Sequence, residues 1–133
     1  MDLTKDKLLM VNSRRRNGLI IFKRYHAEFA GPGAAVGSFF DLNCHVLAVG
    51  NLSLIVPQSD KERQNAYLIR RQWARLTQKS TECPVPEDRV RTILQQFDAF
   101  FETETVAKIP DEAFALLVGV LPQTVHKVRH KPR

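Results

Sequence analysis

The chain has 133 residues, of which 44% are hydrophobic and 26% charged, a composition typical of a small folded protein and not of a disordered one. Lysine and arginine number 20 against 14 acidic residues, and the formal net charge of +6 favours acidic partners such as nucleic acids. Because Cys44 and Cys83 are the only cysteines, a disulfide scaffold and a four-cysteine zinc site within one chain are excluded.

The N-terminal segment is basic, and we predict that residues 1–16 form an arm. It contains three consecutive arginines, Arg14, Arg15 and Arg16. Such an arm either contacts DNA phosphates near the minor groove or only keeps the terminus soluble. The apolar run at residues 18–22 is too short for an export signal or a membrane helix, so the cytoplasm is the expected compartment.

Residues 17–57 predict an antiparallel β unit. Residues 19–29 are rich in β-branched and aromatic side chains, and glycine and proline at 31–33 then break the chain. Residues 40–48 alternate between apolar and polar, which predicts a strand with one buried face. Gly50 and Asn51 fit a two-residue hairpin turn, with a return strand that ends at Pro57. Such a unit offers a surface for a protein partner or a homodimer.

Residues 58–80 predict a basic amphipathic helix with Ser59 or Asp60 as its N-cap. The predicted apolar stripe consists of Ala66, Ile69, Trp73 and Leu76. Arg71 and Arg75 lie on roughly the opposite face. They form either a solvated surface or a set of phosphate contacts.

Residues 86–133 predict a unit of three helices. The first begins at Pro86 and carries the clearest apolar stripe of the chain, formed by Val90, Ile93, Leu94, Phe97, Phe100 and Phe101. The second is expected from about Pro110 to Val118 and the third from Pro122 to about His130. Eight acidic residues against three basic ones make residues 81–112 acidic, so this part should face away from DNA.

Residues 111–130 resemble the helix-turn-helix DNA-binding motif. The resemblance lies in a small residue at Ala115, a turn glycine at Gly119 and an inward valine at Val125, with Val128 also inward. It implies that the last helix faces base edges with Gln123, His126, Lys127 and His130. It also implies phosphate contacts from Thr124, Arg129, Lys131 and Arg133, and dimers that bind two half-sites.

The sequence therefore predicts an α+β protein with an N-terminal β-hairpin unit, a basic helix and a C-terminal helix-turn-helix-like unit, either as separate domains or as one. The leading function is a non-enzymatic DNA-binding protein, such as a transcriptional or replication accessory factor. No cofactor, membrane or small-molecule substrate is expected. A metal site is not expected either, because adjacent Cys44 and His45 on a strand point to opposite faces. The alternatives are a protein-interaction subunit and an RNA-binding protein that stacks bases on Phe22, Tyr25 and Phe29.

Overall fold

The computed structural model describes residues 8–37, 41 and 44–130, and within them the fold is of the predicted α+β class. The strands come first: β1 Leu8–Val11, β2 Asn17–Phe22, β3 Ala27–Ala30, β4 Ala35–Gly37, β5 His45–Gly50 and β6 Leu54–Ile55. The helices follow: α1 Asp60–Thr81, α2 Pro86–Phe100, α3 Thr103–Ala107, α4 Asp111–Val118 and α5 Pro122–Arg129.

The strands form two antiparallel sheets, with the orders β4-β1-β6 and β3-β2-β5. The central strand β2 pairs Ile20 with Phe29 of β3 on one side and with Leu47 of β5 on the other. Ile20 packs on the helix side, whereas Leu19 and Ile21 pack towards the other sheet. Both faces of β2 are therefore buried, which its continuous apolar run requires.

The predicted hairpin at Gly50 and Asn51 is wrong. β5 pairs with β2, while β6 pairs with β1 of the other sheet, so the chain crosses between sheets after Gly50. The one-sided burial predicted for this strand is also wrong, because Leu47 and Val49 pack against the helices and Val46 against the other sheet. The alternation of apolar and polar residues in the sequence does not show that apolar elements pack on both faces of β5.

The predicted N-terminal arm is also incorrect for residues 8–16. Residues Leu8–Val11 form the central strand of the first sheet, because their apolar side chains are needed between β4 and β6. The three arginines Arg14, Arg15 and Arg16 are exposed in the turn between β1 and β2. Buried Asn17 holds this turn by donating to the carbonyl oxygens of Asn12 at 3.1 Å and Arg15 at 3.0 Å.

Helix α1 begins as predicted, with the Ser59 hydroxyl accepting a hydrogen bond from the Glu62 backbone N–H at 3.1 Å. Ala66, Ile69 and Trp73 of the predicted stripe face inward, and the Trp73 ring lies so close to Gly31 that an added Cβ there would be 2.4 Å from it. Leu76 does not follow this stripe, since it is 43% exposed. The buried stripe continues instead through Thr77 and Ser80, which follow Trp73 by four and seven residues.

A buried ion network joins α1 to the β unit. Arg70 donates to both carboxylate oxygens of Asp41, at 2.8 and 3.0 Å, and to Glu28 at 3.0 Å. Lys23 donates to the same Asp41 at 2.8 Å, and the Gly37 backbone N–H also donates to it at 2.8 Å. The side chain of Asp41 is 0% exposed and that of Arg70 is 7% exposed.

The network changes the protonation behaviour of its members. Burial by itself raises the pKa of Asp41, but the hydrogen bonds and charge of Arg70, with those of Lys23 and Gly37, outweigh it and hold this pKa below the ordinary value. Glu28 follows the same pattern: burial raises its pKa, and Arg70 more than compensates. Burial lowers the pKa of Arg70, and its two carboxylate partners raise it beyond the ordinary value. All three groups are therefore held in their charged forms.

None of the helices in the described ranges is both long enough and apolar enough to cross a membrane. The short α3 was not predicted, since residues 103–107 carry no apolar periodicity of their own. It connects α2 to α4 and buries Val106.

Candidate nucleic-acid interface

Helices α2, α4 and α5 form the core on which the candidate interface is built. α2 packs against both α4 and α5, which also pack against each other. The motif residues Ala115 and Val125 are buried in this contact, and Val128 is half-buried at its edge. Phe114 lies at the centre and meets the Phe97 ring of α2 edge-on, with 5.2 Å between ring centroids. The inner face of α5 is therefore covered.

The turn between α4 and α5 depends on the conformation of Gly119. Its φ of 70° and ψ of 46° are left-handed, and an added Cβ would meet nothing within 4 Å. Glycine is therefore required by the backbone angle and not by space. The N–H groups of Gly119 and Val120 both donate to the Ala115 carbonyl, at 2.9 and 3.0 Å. Pro122 then begins α5 at its first helical position.

The outer face of α5 is polar and exposed. Gln123, His126, Lys127 and His130 are all exposed, and Thr124 is half-buried. The side chains of His126 and Lys127 are 66% and 69% exposed. These residues are therefore on the side of α5 that faces away from the core, in an arrangement sterically open to a partner.

Acidic groups stand beside this face. The Lys127 Nζ lies 2.9 Å from Glu87 of α2, and the Nδ1 atom of His126 lies 3.4 Å from Asp111 of α4. Exposed ion pairs of this kind are worth at most about 1 kcal/mol, because water screens them. A phosphate group would thus compete with Glu87 for Lys127 at small energetic cost.

Arg129 does not project from α5 in the way that the resemblance implies for a phosphate contact. Its side chain is 15% exposed and donates to the carbonyl oxygens of Ile109 at 2.6 Å and Val106 at 3.1 Å. It also pairs with Asp111 at 3.0 Å and lies over the ring of Phe114 at 5.1 Å. Both terminal nitrogens of its guanidinium donate to the protein, so Arg129 ties the end of α5 to residues 106–111.

The remaining predicted phosphate contacts lie on other elements. Arg71 and Arg75 are exposed on α1, and Arg14, Arg15 and Arg16 are exposed in the β1–β2 turn. Within the described part of the chain, no hydrogen bond or ion pair connects them to α5. Lys131 and Arg133 fall outside the described residues.

Two features were missed when the sequence alone was considered. Arg70 follows Ala66 by four residues and precedes Trp73 by three, so it lies on the apolar stripe and signals a buried cation in need of a carboxylate. The aromatic residues of α2 were interpreted as core only, yet some of them line a cavity described below. No group of three or more potential metal ligands is found among the residues that the structure describes.

Comparisons with protein-family models, with curated proteins and with solved structures found no match.

Proposed function

We propose that the chain is a non-enzymatic DNA-binding protein, a small transcriptional or replication accessory factor that contacts duplex DNA through α5. The observation that carries the proposal is the division of α5 into two faces. Val125 and Val128 hold the inner face against α2 and α4, while Gln123, His126 and Lys127 project from the other. A helix that reads the major groove needs this combination of a fixed inner face and an exposed polar face.

The chemistry of the exposed face suits base edges. An amide such as Gln123 pairs with the N6 and N7 atoms of adenine, and Lys127 donates to the N7 and O6 atoms of guanine. Thr124 and the exposed arginines of α1 and of the β1–β2 turn are suited to phosphate oxygens, which carry no sequence information. Because the eight residues of α5 span only about 12 Å, we expect a dimer on two half-sites.

A salt series on a mixed-sequence DNA duplex tests the proposal. The affinity of the unmodified chain is expected to fall steeply as salt is raised, and Lys127→Ala should make the slope of log K against log salt shallower by about 1. The matched control is Lys61→Ala, which removes the same charge from an exposed site. Lys61 lies about 24 Å along α1 from Thr77, one of the residues of that helix near α4.

The Lys61→Ala control should leave the slope unchanged. An equal effect of the two variants would show that binding depends on the net charge of the chain and not on the position of Lys127. Absence of any salt-dependent binding would overturn the proposal. Selection from a randomised duplex library should in addition give a preferred sequence that Gln123→Ala relaxes at one or two positions.

A protein-binding role is the second candidate, and the edge of β5 favours it. Among the described strands, β3 and β4 have α1 packed against them, and β6 has only two residues and is followed closely by Pro57. β5 pairs with β2 on one side and, of the helices, has its main contact with the short α3; it has six residues and carries no Lys, Arg, Asp or Glu. An uncharged edge of this length is a template for pairing with another strand.

The oligomeric state tests this second role. If two copies pair through β5, sedimentation should show a dimer that Ala48→Lys dissociates, because Ala48 is exposed on this strand and an edge lysine opposes strand pairing. A stable complex with another protein, free of nucleic acid and lost in the same variant, would favour an adaptor. A monomer that forms no complex would exclude both the homodimer and the adaptor.

A further inference from the structure

An open cavity of about 340 Å³ lies between α1 and α2. Five aromatic residues form most of its wall: Phe29, Trp73, Phe97, Phe100 and Phe101. The rings meet edge to face, with 5.4 Å between the centroids of Phe29 and Trp73 and 5.6 Å between those of Trp73 and Phe100. These contacts hold the walls in place, and the volume is within the range of small-molecule sites in proteins.

The rim of the cavity carries hydrogen-bonding groups. Gln96 is half-buried, and its side-chain oxygen lies 3.5 Å from the Ser80 hydroxyl, which leaves its NH₂ group without a partner among the described residues. Thr77 donates its hydroxyl hydrogen to the Trp73 carbonyl at 3.2 Å and keeps its oxygen lone pairs. The rim therefore offers a donor from Gln96 and an acceptor from Thr77.

The lining also decides the charge of an occupant. None of the described residues around the cavity is Lys, Arg, Asp, Glu or His. A charged group would lose its hydration there without gaining a counter-ion, so a neutral molecule is favoured. Flat aromatic walls suit a flat ring system, and the Gln96 NH₂ group suits a carbonyl or ether oxygen on that ring.

We propose that this cavity binds a neutral, flat aromatic molecule that carries a hydrogen-bond acceptor, with the ring against Trp73 and Phe100 and the acceptor at Gln96. None of the described residues that line the cavity belongs to α5. The cavity entrance is at Leu76 and Ala99, both of which are exposed. The proposal for this cavity can therefore be tested whether or not α5 binds DNA.

The test uses prodan, a neutral naphthalene ketone, as the probe for the full chain. Trp73 is the single tryptophan of the chain, so binding is followed by loss of its emission and by the rise of prodan emission on entering an apolar site. We expect saturable binding of one probe per chain. Anilinonaphthalene sulfonate, which has a similar ring system but a negative charge, should bind at least about 10-fold more weakly.

Two variants locate the binding. Ala99→Phe adds a ring at the cavity entrance and should weaken prodan binding at least about 10-fold, whereas the same change at exposed Ala107 of α3 should have no effect. Gln96→Leu should weaken binding about 5-fold, the effect of losing one hydrogen bond. Circular dichroism spectra matching those of the unmodified chain would show that the variants fold.

No saturable binding of prodan, or equal binding by the Ala99→Phe and Ala107→Phe variants, would overturn the proposal. Tighter binding of anilinonaphthalene sulfonate than of prodan would contradict the inference that the ligand is neutral. If Ala99→Phe does not fold, the Gln96→Leu result decides whether the probe occupies this cavity.

Discussion

The β unit encloses an ion network, whereas the helical unit holds several of its ion pairs at the surface. In the β unit, Arg70 reaches from α1 to the fully buried carboxylate of Asp41 and to Glu28, so the charges are inside. In the unit of α2, α4 and α5, the core is built from apolar side chains such as Phe114 and Val125, and ion pairs such as Lys127 with Glu87 are outside.

This difference predicts how strongly the stability of each unit depends on its charged residues. A buried charge stabilises a fold only while all its partners are present, because an unpaired ion in an apolar interior is strongly unfavourable. An exposed pair can be broken and replaced by water or by a ligand at little cost. The β unit should therefore tolerate changes in its charges poorly, whereas the outer face of α5 is able to exchange its partners.

The largest expected effect comes from Arg70→Met. Removal of the guanidinium leaves Asp41 and Glu28 short of their main cation, and we expect the free energy of unfolding to fall by about 3–5 kcal/mol. Arg71→Met changes the neighbouring residue, which is exposed, and should cost less than about 0.5 kcal/mol. Urea unfolding measures both, and equal effects would show that the network does not stabilise the β unit.

Acid should weaken the protein through the same network. The pKa values of Asp41 and Glu28 are held below their ordinary values of 3.8 and 4.5 in the folded chain, so the unfolded chain binds more protons in acid. Their contribution is complete above the ordinary values and is lost as pH falls through the lower, folded values. Urea unfolding from pH 6 to about 2 should show this loss, and it should be smaller in Asp41→Asn. An unchanged pH profile in that variant would contradict the assignment.

A smaller effect is expected from Arg129→Met, which tests an inward-facing cation of the helical unit. The methionine keeps an apolar side chain over Phe114 but leaves the Ile109 carbonyl without its donor and Asp111 without its guanidinium partner, so stability should fall by about 2 kcal/mol. Lys127→Met is the matched control and should cost at most about 1 kcal/mol. Thermal unfolding measures the loss of stability in both variants. An equal loss in Lys127→Met and Arg129→Met would show that the inner and outer cations of α5 do not differ.

The smallest effect is expected at the α4–α5 turn. Gly119→Ala forces a side chain into a left-handed conformation and should cost about 1–2 kcal/mol, although no neighbour is close enough to clash. Gly119→Asn should cost less, because asparagine adopts this conformation more readily. Thermal unfolding compares the two variants, and equal stability of the alanine variant and the unmodified chain would show that the turn does not need glycine.

The sequence predicted the helical unit well because local signals define it. Ser59 caps α1, Pro86 and Pro122 begin α2 and α5, and Gly119 ends α4, each within a few residues of the groups it affects. The exposure of Gln123 and Lys127 followed from helical periodicity in the same way. The strands were predicted less well, since β5 and β6 each pair with a strand far away in sequence.

The sequence by itself thus determined the class of the fold, the ends of the main helices and the polar outer face of α5, because hydrogen bonds and periodicity within a few residues decide these features. Only the tertiary structure decided which strands pair, that Arg70 is enclosed with Asp41, and that Arg129 faces the protein. The physical reason is that the partner of a buried cation is close to it in the folded structure but can be far from it in the sequence. Arg70 and Asp41 are 29 residues apart along the chain, and no local rule connects them.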